Sequence, residues 1–517
     1  MTGRRWARWL ALLFVTAGLA TGCTAGPSAR PEIVVRDAPA PSSSAPAGGG
    51  SDVPRLEEMT DSVAWRDCSE EIQGRLDAER LPDWLPVQCV KLNAVLDSPY
   101  TPGRGNIKVQ LLRAGKGKIP LIVVNDVDGL PGTLYAAHLA KSLPQTFLDR
   151  FTLIGVDRRG TGNSSAANCV PEEIRRAIVD ADPADLPIDV WLQAAQTAGQ
   201  QCSIQLETQL PAFDTWRTAA DLETLRDALG VAHLNAIGHG EGSRVLSVFA
   251  DRYPDKVGRM VLDGAPDPTQ DTATALEGVA KGAEAAFNEF SSDCVSRRCE
   301  LSSQPKRDVL NLLGQLRASP LTEPDALDVT AGSAMHAIMI GLADRDRWPE
   351  LSAALAKAGQ GDPTGLVDML TPVVIGTNLQ VASMDSAIVT TCNDTKTRLS
   401  LERIQQLGED WQKRFPLFGP VILQRLALCS PWTVPNQPLP TPVAENAPPI
   451  LVLGTASDAV TPEEGSEHAA QQLRSGVFVS WQGGGHGALG FSNCTTDAAL
   501  GFLADAKVPR NGTVCPP

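Results

Sequence analysis

Three short segments carry residues whose types and spacing suit covalent hydrolytic chemistry. The first is Gly238-His239-Gly240-Glu241-Gly242, which follows the apolar run Leu234–Ile237 and precedes a helical pattern over Ser243–Tyr253. A strand, a sharp turn and a helix, with glycines two before and two after the centre, is the spacing of a nucleophile elbow. The flanking glycines are needed because the central residue is strained and backbone packs close to it. The centre here is Gly240, which has no side chain. Shifting the register to centre Glu241 would put His239 and Ser243 where small residues are required, and His239 would clash. Ser243 falls in the first helical turn and faces elsewhere. Gly240 is therefore read as a vacant nucleophile position.

The other two segments lie near the C-terminus. The apolar run Ile450–Leu453 leads into Gly454-Thr-Ala-Ser-Asp458-Ala-Val-Thr-Pro462, and Val477–Trp481 leads into Gly483-Gly-Gly-His486-Gly487. Alone, Asp458 reads as a helix cap before Pro462, and His486 as a surface residue among six histidines. Taken in chain order after the elbow, they read as the acid and base of a triad, where the histidine moves a proton and the carboxylate fixes its tautomer.

The elements that must position these residues follow from the hydrophobic pattern. Ile119–Val124, Phe151–Val156, Leu234–Ile237, Val257–Leu262, Ile450–Leu453 and Val477–Trp481 are continuous apolar runs bounded by turn residues, as buried parallel strands require. Between them, Thr218–Leu229 places Ala219, Leu222, Leu225, Ala228 and Leu229 on one helical face, and Gly230 ends it. Strands alternating with helices predict an α/β fold with a doubly wound, mostly parallel sheet. The order nucleophile, acid, histidine at strand ends is that of the α/β-hydrolase fold. The strand rhythm stops at Ala265 and returns at about Pro448. The stretch between is helical in pattern, as in Ala273–Phe290, Arg307–Arg317 and Ser352–Lys357. It reads as a cap inserted over the sheet edge where ligands of open α/β sheets bind. The expected organisation is a signal and lipobox over 1–23, a disordered Pro/Ala/Ser/Gly linker over 24–60, a first core part over 61–265, a cap over 266–447 and a second core part over 448–517.

Several segments resemble the secreted tripeptidyl aminopeptidases of actinobacteria. They are Asp157-Arg-Arg-Gly-Thr-Gly-Asn-Ser164, Asp221-Leu-Glu-Thr-Leu-Arg-Asp-Ala-Leu-Gly230, Val261-Leu-Asp-Gly-Ala-Pro266, the Asp458 and His486 loops, and the tail from Cys494 through Val508-Pro-Arg-Asn-Gly-Thr-Val-Cys515. The resemblance covers roughly residues 65–517. It implies a capped α/β-hydrolase core that removes short peptides from free N-termini, with Asp458 as acid, His486 as base and Gly240 where the nucleophile belongs. It also implies a glycine-rich loop after the third strand that lends a backbone N–H to the oxyanion hole. This chain has Asn125-Asp126-Val127-Asp128-Gly129-Leu130-Pro131-Gly132 there instead. Asp126 and Asp128 bring negative charge to where an oxyanion forms. The expected oxyanion side is thus Asn125, Asp126 and the Glu241 N–H, which survives any change at Gly240.

Losing a catalytic serine costs about 10⁶ in turnover, and losing an oxyanion donor about 10²–10³ more. Two readings follow. In the first, the chain is a catalytically silent relative that binds a short peptide or other small ligand in the capped cleft. In the second, it is an active peptidase or ester hydrolase with atypical chemistry built on His486 and Asp458, through water or a side chain delivered by the cap. The altered loop separates both from a single Ser-to-Gly exchange in an otherwise intact site.

Composition sets the surroundings. The net charge of −15 over 517 residues excludes a nucleic-acid partner, which needs a basic stripe. Arg4, Arg5 and Arg8 precede the apolar run Leu10–Ala20, too short to span a bilayer, and Gly22-Cys23 closes it. That is the pattern of an export signal in which Cys23 is lipidated, so the only expected membrane contact is a lipid anchor. Ten further cysteines remain: Cys68, Cys89, Cys169, Cys202, Cys294, Cys299, Cys392, Cys429, Cys494 and Cys515. An even number suits an oxidising compartment, and nearest-neighbour pairing gives five local loops, although spacing alone does not fix connectivity. None has zinc-ligand spacing with nearby histidines, and Asn125, Asp126 and Asp128 read as a solvated acidic turn. No metal and no cofactor are expected, and the sequence is silent on oligomeric state.

Overall fold

The computed structural model describes residues 53–60, 63–76, 80–185, 187–269, 271–322, 326–377, 380–434 and 439–517. The expected signal, Cys23 and most of the linker lie outside these residues. The strands are β1 (Arg66–Asp67), β2 (Val87–Val95), β3 (Asn106–Ala114), β4 (Ile119–Val124), β5 (Phe151–Val156), β6 (Leu234–His239), β7 (Val257–Asp263), β8 (Gly376–Thr377), β9 (Gln380–Val381), β10 (Ile450–Ser457), β11 (Gly476–Gly484) and β12 (Thr513–Cys515). Ten form one sheet in the order β1-β2-β3-β5-β4-β6-β7-β10-β11-β12, while β8 and β9 pair alone. Pairing is parallel from β5 through β12 and antiparallel among β1, β2, β3 and β5.

The apolar runs become central strands because both sheet faces are covered. Along β4, Leu121 and Val123 pack into one core layer, whereas Ile122 and Val124 pack into the other. The second of these layers continues without a break into the inserted helices through Phe287, Phe290, Trp348 and Leu370. β2 and β3 have no such continuous run. β2 carries Lys91 and Asn93 on a half-exposed face, so it is an antiparallel edge ribbon that periodicity for buried strands does not detect.

Between β7 and β10 the chain is helical, including Thr272–Arg297, Pro305–Ala318, Ala331–Ala343, Trp348–Ala358, Ser383–Asp394, Leu401–Arg414 and Gly419–Ala427. This insertion touches the loops at the C-terminal ends of the strands. The His486 N–H donates to the Ala343 carbonyl at 2.7 Å. Arg345 Nη1 donates to the Gly484 carbonyl at 3.1 Å. Helices outside the insertion help to build the same layer. Glu172–Asp180 is tied in through Arg175, which ion-pairs with the buried Asp385 at 3.1 Å.

Residues 53–60, expected to be linker, instead run along the core. Val53, Leu56 and Met59 pack against it, Glu57 pairs with His233 at 2.7 Å, and Thr60 N–H donates to Leu229 at 3.0 Å. Apolar side chains every third residue supply the burial that the preceding Pro/Ala/Ser/Gly stretch lacks.

All ten cysteines beyond Cys23 pair as nearest neighbours, 68–89, 169–202, 294–299, 392–429 and 494–515, with Cα separations of 4.6–5.8 Å. Two of the motifs quoted for the family resemblance are structural rather than chemical. Arg159 is buried and forms a two-pronged pair with Asp221 at 2.7 and 2.8 Å, and also donates to the carbonyls of Leu96 and Ala212. Asp157 accepts from the Thr133 and Asn163 N–H groups at 2.9 and 2.8 Å. It thereby fixes the start of helix Gly132–Ser142 and, with it, the end of the Asn125–Gly132 loop.

Candidate active site

The turn after β6 has elbow geometry. Gly240 sits at φ +53 and ψ −124, between β6 and helix Glu241–Arg252. That conformation is strained for any residue with a side chain, and glycine adopts it freely. The flanking glycines are required by contact. A Cβ on Gly238 would stand 2.7 Å from the Ser243 backbone, and one on Gly242 would run into the Val124 carbonyl. Ser243 is fully buried in the first helical turn and donates to the Gly238 carbonyl at 2.8 Å, so it takes no part in the site. The Glu241 carboxylate turns away to Arg244 at 3.1 Å.

Asp458 follows directly on β10 and is fully buried. Its Oδ1 accepts the Val460 and Thr461 N–H groups at 2.7 and 2.8 Å, and its Oδ2 accepts the Thr461 hydroxyl at 3.0 Å and the Gly487 N–H at 3.1 Å. It also accepts from His486 Nδ1 at 3.0 Å, which orients the imidazole as a triad acid does. The expected acid and base are thus brought together at the elbow.

The position beside Gly240 is filled from the β4 loop. Asp126 Oδ1 accepts the Glu241 N–H at 2.6 Å, and Oδ2 accepts from His486 Nε2 at 2.9 Å. A Cβ built on Gly240 would overlap both oxygens and the carboxyl carbon of Asp126. Of the residues expected on the oxyanion side, Asp126 and the Glu241 N–H are present, but they are bound to each other. Asn125 is not part of the site. Its amide donates to the Leu130 carbonyl at 2.8 Å and folds the loop. Asp128 is exposed at the loop tip, so only one of the two aspartates expected to face the oxyanion enters the site.

Charge follows from this geometry. Burial pushes the Asp126 carboxyl up, but His486 outweighs it, with help from His239 and the Glu241 N–H, and brings it down to about 2. Burial alone would lower the His486 imidazole; Asp458 and Asp126 outweigh that and hold it well above its ordinary value. His486 therefore sits as an imidazolium between two carboxylates.

Sequence reasoning missed His239. It ends β6 directly opposite Asp263 of β7, and its Nδ1 lies 3.3 Å from Asp263 Oδ2. Its ring stacks on Tyr135 at 4.8 Å and lies 4.4 Å from the His486 ring. The available signal was Asp263 inside the Val261–Pro266 motif, at the end of the neighbouring strand.

A mostly parallel sheet, an elbow after β6 and an ordered acid and base at the ends of β10 and β11 define an α/β-hydrolase-fold protein. Residues 415–515 match the family model described as TAP-like protein. The chain is 26% identical over 429 residues to serine protease Hip1 of Mycobacterium tuberculosis, covering 77% of this chain and 81% of that one. It is 24% identical over 490 residues to the tripeptidyl aminopeptidase of Streptomyces lividans, covering 88% and 87%. It is also 24% identical over 498 residues to carboxylesterase B of M. tuberculosis, covering 91% and 93%. The C-terminal part of the chain thus matches the TAP-like model, and most of its length is similar to hydrolases of that kind.

Proposed function

We propose that this chain is an exported binding protein of the TAP-like family in which serine-type acyl transfer has been lost. The observation that supports the reading is the seat of Asp126. A serine hydrolase needs a hydroxyl at the elbow, a histidine with a free Nε2, and backbone N–H groups open to an oxyanion. Here the elbow residue is Gly240, His486 Nε2 donates to Asp126, and the Glu241 N–H donates to the same carboxylate. The competing reading, an active peptidase or ester hydrolase run by His486 and Asp458, requires Asp126 to leave both partners.

The ligand site in this reading is the cleft between cap and core, about 140 Å³, lined by Glu241, Arg244, Asp267, Thr272, Asp394 and Arg425. Carboxylates and guanidinium groups facing one cleft suit a short peptide with charges of both signs. Five disulfides support an oxidising, exported setting, and Cys23 is the proposed lipid anchor; Cys23→Ser should then move the chain from the membrane fraction to the soluble one. No helix among the described residues is long and apolar enough to cross a membrane. The test of the binding role is calorimetric titration with a mixture of short peptides, with mass analysis afterwards. Saturable binding with the peptides recovered intact is expected; cleaved peptide, or no saturable binding, contradicts the reading.

A further inference from the structure

Three buried side chains, from the loops after β4 and β11 and from the last residue of β6, converge at one point. One ring nitrogen of each of His239 and His486 and a carboxylate oxygen of Asp126 lie within 4.8 Å of one another. We propose that Asp126, His239 and His486 form a binding site for a divalent first-row transition ion, with zinc as the test case. The proposal stands on this geometry and does not depend on loss of acyl transfer.

The donor set selects the ion class. Two imidazoles and one carboxylate suit zinc and its neighbours, whereas calcium and magnesium prefer an all-oxygen shell. The spacing is close to what an ion needs. Ligand atoms about 2.0–2.1 Å from a tetrahedral zinc stand roughly 3.3 Å apart. Asp126 Oδ2 is 2.9 Å from His486 Nε2 and 3.9 Å from His239 Nε2. The histidine nitrogens lie within 4.8 Å of each other, so shifts of up to about an ångström per side chain, within rotamer reach, would bring the three donors around one ion.

The surroundings of the three donors support the assignment further. Metal-binding histidines hand their other ring N–H to a carboxylate or carbonyl, which fixes the tautomer and aims the free nitrogen at the ion. Both histidines here do so: His486 Nδ1 faces Asp458 at 3.0 Å, and His239 Nδ1 faces Asp263 at 3.3 Å. Asp263 is itself held by the Ala488 N–H at 2.7 Å. The third donor is fixed too, since Asp126 Oδ1 accepts the Glu241 N–H at 2.6 Å and leaves Oδ2 for the ion. In the metal-free chain the His486 Nε2 proton, shared with Asp126 Oδ2, occupies the place the ion would take, and it is released to solvent when the ion binds. No other group of three such side chains stands close enough among the described residues. Local sequence spacing gives no sign of the site, because the fold alone brings the three residues together.

The full mature chain, stripped with chelator and desalted, should bind one equivalent of zinc in a calorimetric titration, and cobalt(II) should give a saturable visible spectrum at the same stoichiometry. His239→Gln should weaken zinc binding at least about 100-fold, and the positioning change Asp263→Asn about 10–100-fold. His468→Gln, which removes an exposed histidine paired with Asp267 at 3.0 Å, should leave binding unchanged. Circular dichroism verifies that each variant folds, and the wild-type titration decides the question if a variant does not. Absence of saturable one-to-one binding by the wild type overturns the proposal. So does a folded His239→Gln chain that binds as tightly as the wild type, or loss of binding on His468→Gln.

Discussion

The carboxylate of Asp126 lies where a side chain on Gly240 would have to stand. Two sequence departures in different loops, an aspartate in place of a glycine-rich segment and a glycine in place of a nucleophile, are one spatial fact. Glycine at the elbow makes room for the carboxylate, and the carboxylate joins the N–H of Glu241 to the imidazole of His486.

That relationship predicts coupled stabilities. Gly240→Ser should destabilise the fold by about 2 kcal/mol, because the new side chain meets Asp126 and takes a backbone conformation disfavoured outside glycine. Asp126→Gly should also destabilise, since it strips His486 of a buried partner. The double variant should lose less than the sum of the two by at least about 1 kcal/mol, as residues in direct conflict do. Urea unfolding of the four chains measures this, and additive losses would show that the two positions do not meet.

A second expectation concerns the motifs that look functional and are structural. Asp221→Asn leaves the buried guanidinium of Arg159 without its carboxylate, in a setting otherwise completed by the Val95, Leu96 and Ala212 carbonyls. Removing one partner of such a pair costs roughly 3–5 kcal/mol. Chemical denaturation of this variant should show a loss of that size, and a loss under about 1 kcal/mol would mean the pair is not buried as described.

The cleft carries a pH dependence of its own. Burial, and then the neighbouring Asp214, push the Asp394 carboxyl up to about 7. A carboxyl raised in the folded state favours folding while protonated. Its contribution is complete below its ordinary value near pH ~4 and is lost as pH rises through 7. Asp394→Asn removes that titration and keeps an oxygen for the Thr215 N–H, which Asp394 now accepts at 3.0 Å. The variant and wild type should be equally stable at acid pH, and the variant more stable at pH 8 by about 2 kcal/mol, a figure reduced for the water that reaches the cleft. Thermal melts across this range check it; a constant difference between the two chains would contradict the shift.

Much of this could be read from the chain because some physical constraints act locally. β4, β5, β6, β7, β10 and β11 are covered on both faces, so their residues are predominantly apolar and the strands announce themselves. Asp458 and His486 stand out because each leaves a strand into a loop of small residues. β2 and β3 were hidden by their exposed faces. The docking of residues 53–60 was hidden by their neighbours in a Pro- and Ser-rich stretch. The charge of Asp126 was readable, but its seat on the Glu241 N–H joins the loop after β4 to the turn after β6, a contact across 115 residues of sequence. His239 drew no role from the sequence, because its tie to Asp263 exists only through the register of β6 against β7.

The most direct test of the central claim, that Asp126 fills the nucleophile's place, is labelling by a fluorophosphonate, which reacts only with an activated hydroxyl. The wild type, Gly240→Ser, Asp126→Gly and the double variant should be treated side by side and read by intact mass. One equivalent of label is expected on the double variant alone, where a serine hydroxyl meets His486 and the Glu241 N–H is freed for the developing charge. Stoichiometric labelling of the wild type, or of Gly240→Ser with Asp126 still in place, would contradict it.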